Sequence, residues 1–490
     1  MTPLLRSPPF PFADATVSQP GPVQPCDDLP ALFALVREAR VGGAFWDAAR
    51  DPWAVIARGG PVAAPGDDER VPLARIAGLP ITVTAPGRFG APGDSAATLD
   101  RKAADALLGA QYRNPFTGAP ASIAETIELL ALWRATLEAN RPIAAACGMA
   151  WWKRAEIRRF LWAPGRDLRL TRSTRRALRL AKRVEGGAVA MWPSRVSPAL
   201  KQQAQARGVG LVRVEDGFVR SVGLGVELVP PSSVVVDRAG IHFDPAAPSD
   251  LEAILATHAF PARLVERAQA LRVTIVAAGI SKYGAGGAAE LPPRAAGRRL
   301  VLVPGQVADD MSVTAGGHGL DNLALLARTR AAEPEAEIWF RPHPDVDAGH
   351  RKGRVPDGAA LAHADRVVRG GSMAALLDAV DAVHTITSLT GFEALLRGKR
   401  VTCHGTPFYA GWGLTADCAA PTGRRGRALT LDQLVAGVLI LYPRYLDPVT
   451  GLPCPPEVLV ARIAEAQAAN RLGWIAPLRR WQGRLMALLR

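Results

Sequence analysis

Along the middle of the chain, short apolar runs alternate with amphipathic stretches of helical period, the pattern of strands and helices taken in turn. Strands are predicted over 188–191, 211–214 and 234–236, and a second series over 300–303, 337–340 and 382–386. A glycine- and proline-rich stretch, 284–297, separates the two series and reads as a link. Such alternation builds a largely parallel sheet covered by helices, so the pattern predicts two Rossmann-like α/β lobes joined by a hinge. Each lobe would open toward the carboxyl ends of its strands.

The clearest local pattern is 381–413, DAVHTITSLTGFEALLRGKRVTCHGTPFYAGWG. A buried strand over 382–386 leads to Thr387 and Ser388, residue types that cap a helix start, and the helix 389–397 stops at Gly398 before a second strand, 400–403. A strand-helix-strand unit of this kind directs unpaired N–H groups and a positive dipole end beyond the strand, an arrangement suited to a phosphate. Other polar residues follow predicted strands in the same way: Glu215 and Asp216 after 211–214, Asp309 and Asp310 after 300–303, His343 after 337–340. A lone aspartate at such a place is ordinarily a turn or cap residue; several at one sheet edge point to a site.

Length and charge narrow the class. At 490 residues the chain can bury more than one core. It has no apolar run near the about 18 residues of a membrane span, and the prolines of its N-terminus do not suit a signal peptide, so a cytoplasmic location is expected. Its five cysteines, Cys26, Cys147, Cys403, Cys418 and Cys454, form no CxxC pair, which argues against a zinc site or a disulfide framework. The net charge of +14 gathers in a belt over 153–183 and in a tail holding Arg471, Arg479, Arg480, Arg484 and Arg490. Nucleic acid, anionic lipid and a charged substrate all fit that charge, as does a solvated surface. In the tail, Leu478, Trp481, Leu485 and Leu488 share one helical face, which suits either an interfacial helix at a membrane or a helix packed on the protein.

The sequence also repeats itself. Tyr112-Arg-Asn-Pro-Phe-Thr-Gly118 matches Tyr445-Leu-Asp-Pro-Val-Thr-Gly451, Leu99-Asp100 matches Leu431-Asp432 with one residue of slippage, and Gly78–Thr82 matches Gly398–Thr402. The first 141 residues therefore read as the rear of a second module whose front is missing, with Ala85–Gly90 standing where YAGWG would be. A structural and not catalytic role is expected for this remnant, with an acceptor-binding role of its own as the alternative.

The run 381–413, with Glu215–Gly225 (EDGFVRSVGLG), Val303–Ser312 (VPGQVADDMS) and Arg341–Val346 (RPHPDV), resembles in order the motifs of the bacterial capsule-synthesis β-Kdo glycosyltransferases. The likeness spans about 143–445 and is to the second module of a tandem enzyme. It implies a GT-B-like architecture: a partial module at 1–141, lobes at 142–290 and 291–430 flanking a central cleft, and a helical, basic extension at 431–490. It further implies transfer of Kdo from CMP-Kdo, with retention of configuration, to a lipid-linked Kdo acceptor at the inner-membrane surface. Other capsule synthesis and export proteins are the expected associates, and nucleic acid is not. Retention needs a nucleophilic carboxylate and a second group that manages a proton. By motif position these fall on Asp310 and Glu215, with His343 as the third catalytic residue. Lys282, Arg341, Gln306, Thr387, Ser388 and Gly391 form the expected nucleotide-sugar set, with Arg220 and Lys399 as weaker cations nearby. No cofactor and no metal are expected. Asp345-Val-Asp347 has the form of a metal-binding DxD, but a leaving nucleoside monophosphate has no diphosphate for a divalent ion to bridge. The alternative from another class is a non-catalytic export or assembly factor that binds the glycolipid.

Overall fold

A computed structural model of the chain describes residues 2–219, 230–281, 284–285 as backbone, 291–420 and 422–465. The protein is mixed α/β, and its described residues form two units, one of 2–144, 157–169 and 449–455, the other of 145–156, 170–448 and 456–465. Lys282, Arg220 and the basic tail lie outside the described residues.

The first unit is built on helices Leu29–Ala39, Ala96–Leu108 and Ile123–Asn140 with two small sheets, Val62–Ala64 parallel to Ile81–Val83 and Ser18–Pro20 antiparallel to Ala110–Tyr112. Ser122 and Glu125 form a reciprocal capping box that starts the long helix. That helix buries Trp133, whose indole N–H donates to the carbonyl of Pro453 at 2.7 Å. The next residue, Arg134, forms a buried ion pair with Asp51 at 2.6 Å.

The second unit carries two sheets. In one, Ala188–Met191 runs parallel to Gly210–Asp216, which pairs antiparallel with Ser233–Asp237, and Pro443–Leu446 pairs antiparallel with the other side of Ser233–Asp237. Pattern alone ends the middle strand at Val214 and places Glu215 and Asp216 after it. The antiparallel ladder continues through Glu215 opposite Val235 and Asp216 opposite Val234, so both carboxylates stand inside the strand. Side chains alternate across a strand, and the two therefore leave opposite faces of the sheet.

The other sheet is parallel throughout, with spatial order Arg366–Val367, Glu337–Arg341, Leu300–Pro304, Ala382–Thr385, Arg400–Cys403, Ala416–Asp417. In chain order this is 3-2-1-4-5-6, the doubly wound arrangement in which the sheet reverses direction between its first and fourth strands. Central strands covered on both faces read as continuous apolar runs, and Leu300–Pro304 is buried at every position. The helix Leu389–Leu396 and its neighbouring strands occur where the pattern puts them; Ser388 is the cap, accepting from Thr390 N, and Gly398 takes the left-handed φ of +68° that a side chain disfavours.

The sequence repeat has a structural counterpart. Tyr112 donates its hydroxyl to Leu107 O and Tyr445 to Leu439 O, both at 2.6 Å, so each tyrosine ties down the end of the preceding helix. The preceding helix of the first copy, Ala96–Leu108, is α throughout, whereas that of the second changes from α at Leu431–Val435 to π at Ala436–Leu441. A π turn takes up one extra residue within a helix. It accounts for the one-residue slippage between the copies.

Beneath the parallel sheet's edge lies a buried histidine pair, His384 Nδ1 and His404 Nε2 at 3.1 Å. Burial, with Arg299 facing His384 and Arg328 facing His404, lowers both to about 4. Glu333 Oε1 stands 3.5 Å from His384 Nε2 but is itself paired with Arg299 at 2.8 Å. The unfolded imidazoles titrate near 6.5, so between about 6.5 and about 4 the unfolded chain binds protons that the folded one refuses. The pair's contribution to stability is complete above that window and shrinks as pH falls through it. Urea midpoints should show this acid loss, and His404→Gln should flatten it; parallel pH profiles for the two proteins would refute the assignment.

Candidate active site

At the reversal of the parallel sheet, crossovers leave the strands Leu300–Pro304 and Ala382–Thr385 in opposite directions, and a crevice forms outside their carboxyl ends. The loops 305–310 and 386–388 line it. Gln306, only 7% exposed, joins them: its Oε1 accepts from Thr387 N at 2.9 Å and Thr385 Oγ1 at 3.3 Å, and its Nε2 donates to Thr387 Oγ1 at 3.1 Å. The backbone donor fixes which end of the amide is oxygen.

The chain of donors then continues outward. Thr387 Oγ1 donates to Ser312 Oγ at 3.3 Å, and Ser312 Oγ donates to Asp310 Oδ1 at 2.7 Å. Asp310 is the N-cap of Met311–Gly316, its Oδ1 also accepting from Ser312 N at 2.9 Å. Each group in the series polarises the next in the same sense. The result is a carboxylate whose Oδ1 accepts two hydrogen bonds from Ser312, itself tied to Thr387, while Oδ2 accepts no hydrogen bond among the described residues. An N-cap aspartate needs only its backbone contact; the side-chain relay to Gln306 goes beyond what capping requires.

Two residues absent from the sequence reading brace this arrangement. Asn322, 6% exposed, donates to the carbonyls of Gln306 and Gly353, both at 2.8 Å, and accepts from Gln306 N at 2.9 Å. Tyr409 of the PFYAGWG run donates to Ser388 O at 2.5 Å. A Cβ on Gly391 would lie 2.2 Å from that hydroxyl, so Gly391 leaves room for Tyr409 and does not need a ligand to explain it.

The remaining candidates sit outside this relay. Glu215 accepts from Asp216 N at 3.0 Å. Its neighbour Asp216 receives Lys153 Nζ at 2.8 Å, and that ammonium lies 3.7 Å from the Trp192 ring centroid and 4.9 Å from that of Trp152. Lys153 is 7% exposed, a buried cation between a carboxylate and two aromatic faces. Within the sequence it is one of many cations in the belt over 153–183, and nothing distinguishes it there. His343 caps Pro344–Asp347, its Nδ1 accepting from Asp345 N at 3.2 Å, so the neutral ring carries its proton on Nε2.

Arg341 is spent on the backbone, donating to the carbonyls of Val368, Gly370 and Gly371, and burial lowers its pKa. Asp309 pairs with Arg351 at 3.0 Å, which lowers the carboxyl's pKa. Lys399 donates to Asp378 O at 2.9 Å, and Asp347 pairs with Arg369 at 3.0 Å.

Comparison with known proteins gives a consistent picture. Residues 187–445 match the family model of the capsule polysaccharide biosynthesis protein. The capsule polysaccharide modification protein LipA of Neisseria meningitidis is 41% identical over 349 residues, 71% of this chain and 49% of its own length. The lipopolysaccharide-processing protein LpsZ of Rhizobium meliloti is 46% identical over 265 residues, 53% of this chain and 59% of its own. The chain thus spans about half the length of LipA. Among solved structures, the β-Kdo 2,7 transferase of Thermosulfurimonas dismutans KpsC superposes with a TM-score of 0.55 at 32% identity, covering 66% of this chain and 99% of that one. The β-Kdo 2,4 transferase of the same protein gives 0.51 at 35% identity, covering 56% and 86%.

Proposed function

Because this chain belongs to the capsule polysaccharide biosynthesis protein family, whose model spans residues 187–445, we propose that it is a retaining β-Kdo transferase of GT-B-like design. It takes Kdo from CMP-Kdo and passes it to a Kdo-bearing glycolipid. The observation that carries this reading is Asp310, with Oδ1 held by Ser312 and Oδ2 unengaged among the described residues at the crevice of the parallel sheet. An oriented carboxylate with one unengaged oxygen is the form a nucleophile takes.

In the first step Oδ2 of Asp310 attacks the anomeric carbon, the bond to the CMP phosphate breaks, and CMP leaves with the electron pair. In the second an acceptor hydroxyl gives up its proton and displaces Asp310 from the sugar, so that two inversions leave configuration unchanged. Glu215 receives the proton of the acceptor hydroxyl. His343, with its proton on Nε2, donates to the departing phosphate. Thr387 and Ser388, at the start of Leu389–Leu396, lie on the phosphate side of the nucleotide. The chemistry requires no cofactor or metal.

Purified protein incubated with CMP-Kdo and a synthetic Kdo-terminated acceptor should release CMP and yield a β-linked product. Absence of CMP release and product with Kdo-terminated acceptors, from protein shown to bind CMP, would leave glycolipid binding without catalysis as the surviving reading.

A further inference from the structure

The helix Thr174–Ala181 packs on the strand Ala188–Met191 through Ala177, Leu178 and Ala181, all buried. The rest of its surface is basic. Arg172, Arg175, Arg176, Arg179, Lys182 and Arg183 are all exposed; Arg175 and Arg179 are four residues apart on one side of the helix with Arg176 beside them, and Arg172, Lys182 and Arg183 flank its two ends. No ion pair joins any of the six to a carboxylate among the described residues.

Two features separate this stripe from an ordinary solvated surface. Some exposed arginines of the same unit have acidic partners, as Arg294 with Asp381, Arg298 with Asp365, Arg351 with Asp309, and Arg369 with both Asp347 and Asp357; Arg195, Arg207 and Arg400 have no ion pair among the described residues but stand apart in sequence, whereas the six cations of the stripe follow one another within 172–183. The stripe is also unfavourable to its own helix. Arg175 and Arg176 occupy the first turn, at the positive dipole end and with no acidic residue there, and like charges face each other at helical spacing. An external anion would relieve both.

We infer that this face docks on an anionic lipid surface, its guanidinium groups bonding to headgroup phosphates. The inference rests on the proposed lipid-linked acceptor, which requires the transferase to work at a membrane. Charge complementarity supports that occupant: guanidinium groups engage phosphates in bidentate pairs, and clustered cations gain additively near a charged bilayer. The stripe offers no aromatic side chain on which bases could stack, so lipid is favoured over single-stranded nucleic acid, and the duplex-DNA arm of the test separates the remaining source of phosphates.

The test uses the full chain, vesicles of phosphatidylcholine alone and of phosphatidylcholine mixed with phosphatidylglycerol, and two variants. One replaces Arg172, Arg175, Arg176 and Arg179 with Gln, the other replaces the same four with Lys. The parent should sediment with the mixed vesicles, less so at high salt, and not with the neutral ones. The Gln variant, whose thermal midpoint should be no lower than the parent's because all four positions are exposed and their charges oppose the helix, should bind at least about tenfold more weakly, and the Lys variant should retain most of the binding. Equal binding by parent and Gln variant would overturn the inference, as would a parent that ignores mixed vesicles yet holds duplex DNA. Vesicle binding needs no turnover, so an inactive protein that behaves as described would refute the transferase reading and leave the surface in place.

Discussion

Asp310→Asn should fold like the parent and transfer sugar on the order of 10⁴-fold more slowly, or not measurably, because an amide oxygen cannot replace a carboxylate as nucleophile. The fold should survive because Asn still accepts from Ser312 N and still caps Met311–Gly316. Asp310→Ala is a poorer test: it loses the cap as well, at about 1 kcal/mol, and so mixes a small structural cost with the chemical one. Parent protein given CMP-Kdo without acceptor should accumulate a Kdo adduct that peptide mass spectrometry locates on Asp310, and Asp310→Asn should not. Substantial turnover by a folded Asp310→Asn protein would remove Asp310 from the mechanism.

Arg425→Met is the change expected to cost most in stability, about 3–5 kcal/mol. The guanidinium is 3% exposed and donates to Glu252 at 3.2 Å, to Pro407 O at 2.6 Å and to Ala410 O at 3.1 Å. It thereby fastens the PFYAGWG loop to the helix Asp250–Thr257. Methionine fills much of the volume but leaves the Ala410 carbonyl without its donor, Pro407 O with the Ala410 N–H alone, and Glu252 with Arg424 alone. Glu252→Gln, which keeps an acceptor in place, should cost less. Equilibrium urea unfolding measures both, and a loss under about 1 kcal/mol for Arg425→Met would show that the loop does not depend on this contact.

Much of the parallel sheet could be read along the chain because its determinants are local. The central strand Leu300–Pro304 is apolar without interruption, and the helix after Thr385 is bracketed by Ser388, whose hydroxyl caps it, and Gly398, whose lack of a side chain permits its left-handed φ. What stayed hidden depends on partners distant in sequence. Apolar alternation cannot tell that Glu215 and Asp216 continue a ladder with Ser233–Asp237, nor that Pro443–Leu446 returns from far along the chain to pair with the same strand. Within the site, Asp310, Gln306, Thr387 and Ser388 lie in motif runs, and hydrogen bonds through Ser312 join Gln306, Thr387 and Asp310 at one sheet edge. Lys153 and Asn322 could not be found that way: an arginine-rich segment conceals the buried lysine, and a helix-start asparagine conceals its second task of binding two loops.

The π turn at Ala436–Leu441 bears on how the two halves of the internal repeat can be exchanged. One residue inserted into a continuous α-helix rotates everything beyond it by about 100°, which would carry Tyr445 away from the carbonyl it holds. Widening a single turn cancels that rotation locally, so the insertion is absorbed where it occurred and the strand Pro443–Leu446 still enters its sheet in register. The tyrosines are therefore the true alignment marks of the duplication, and helix residues upstream are not interchangeable position by position. Any graft of one copy's helix onto the other's strand has to move the helix and its tyrosine together, as a single cassette.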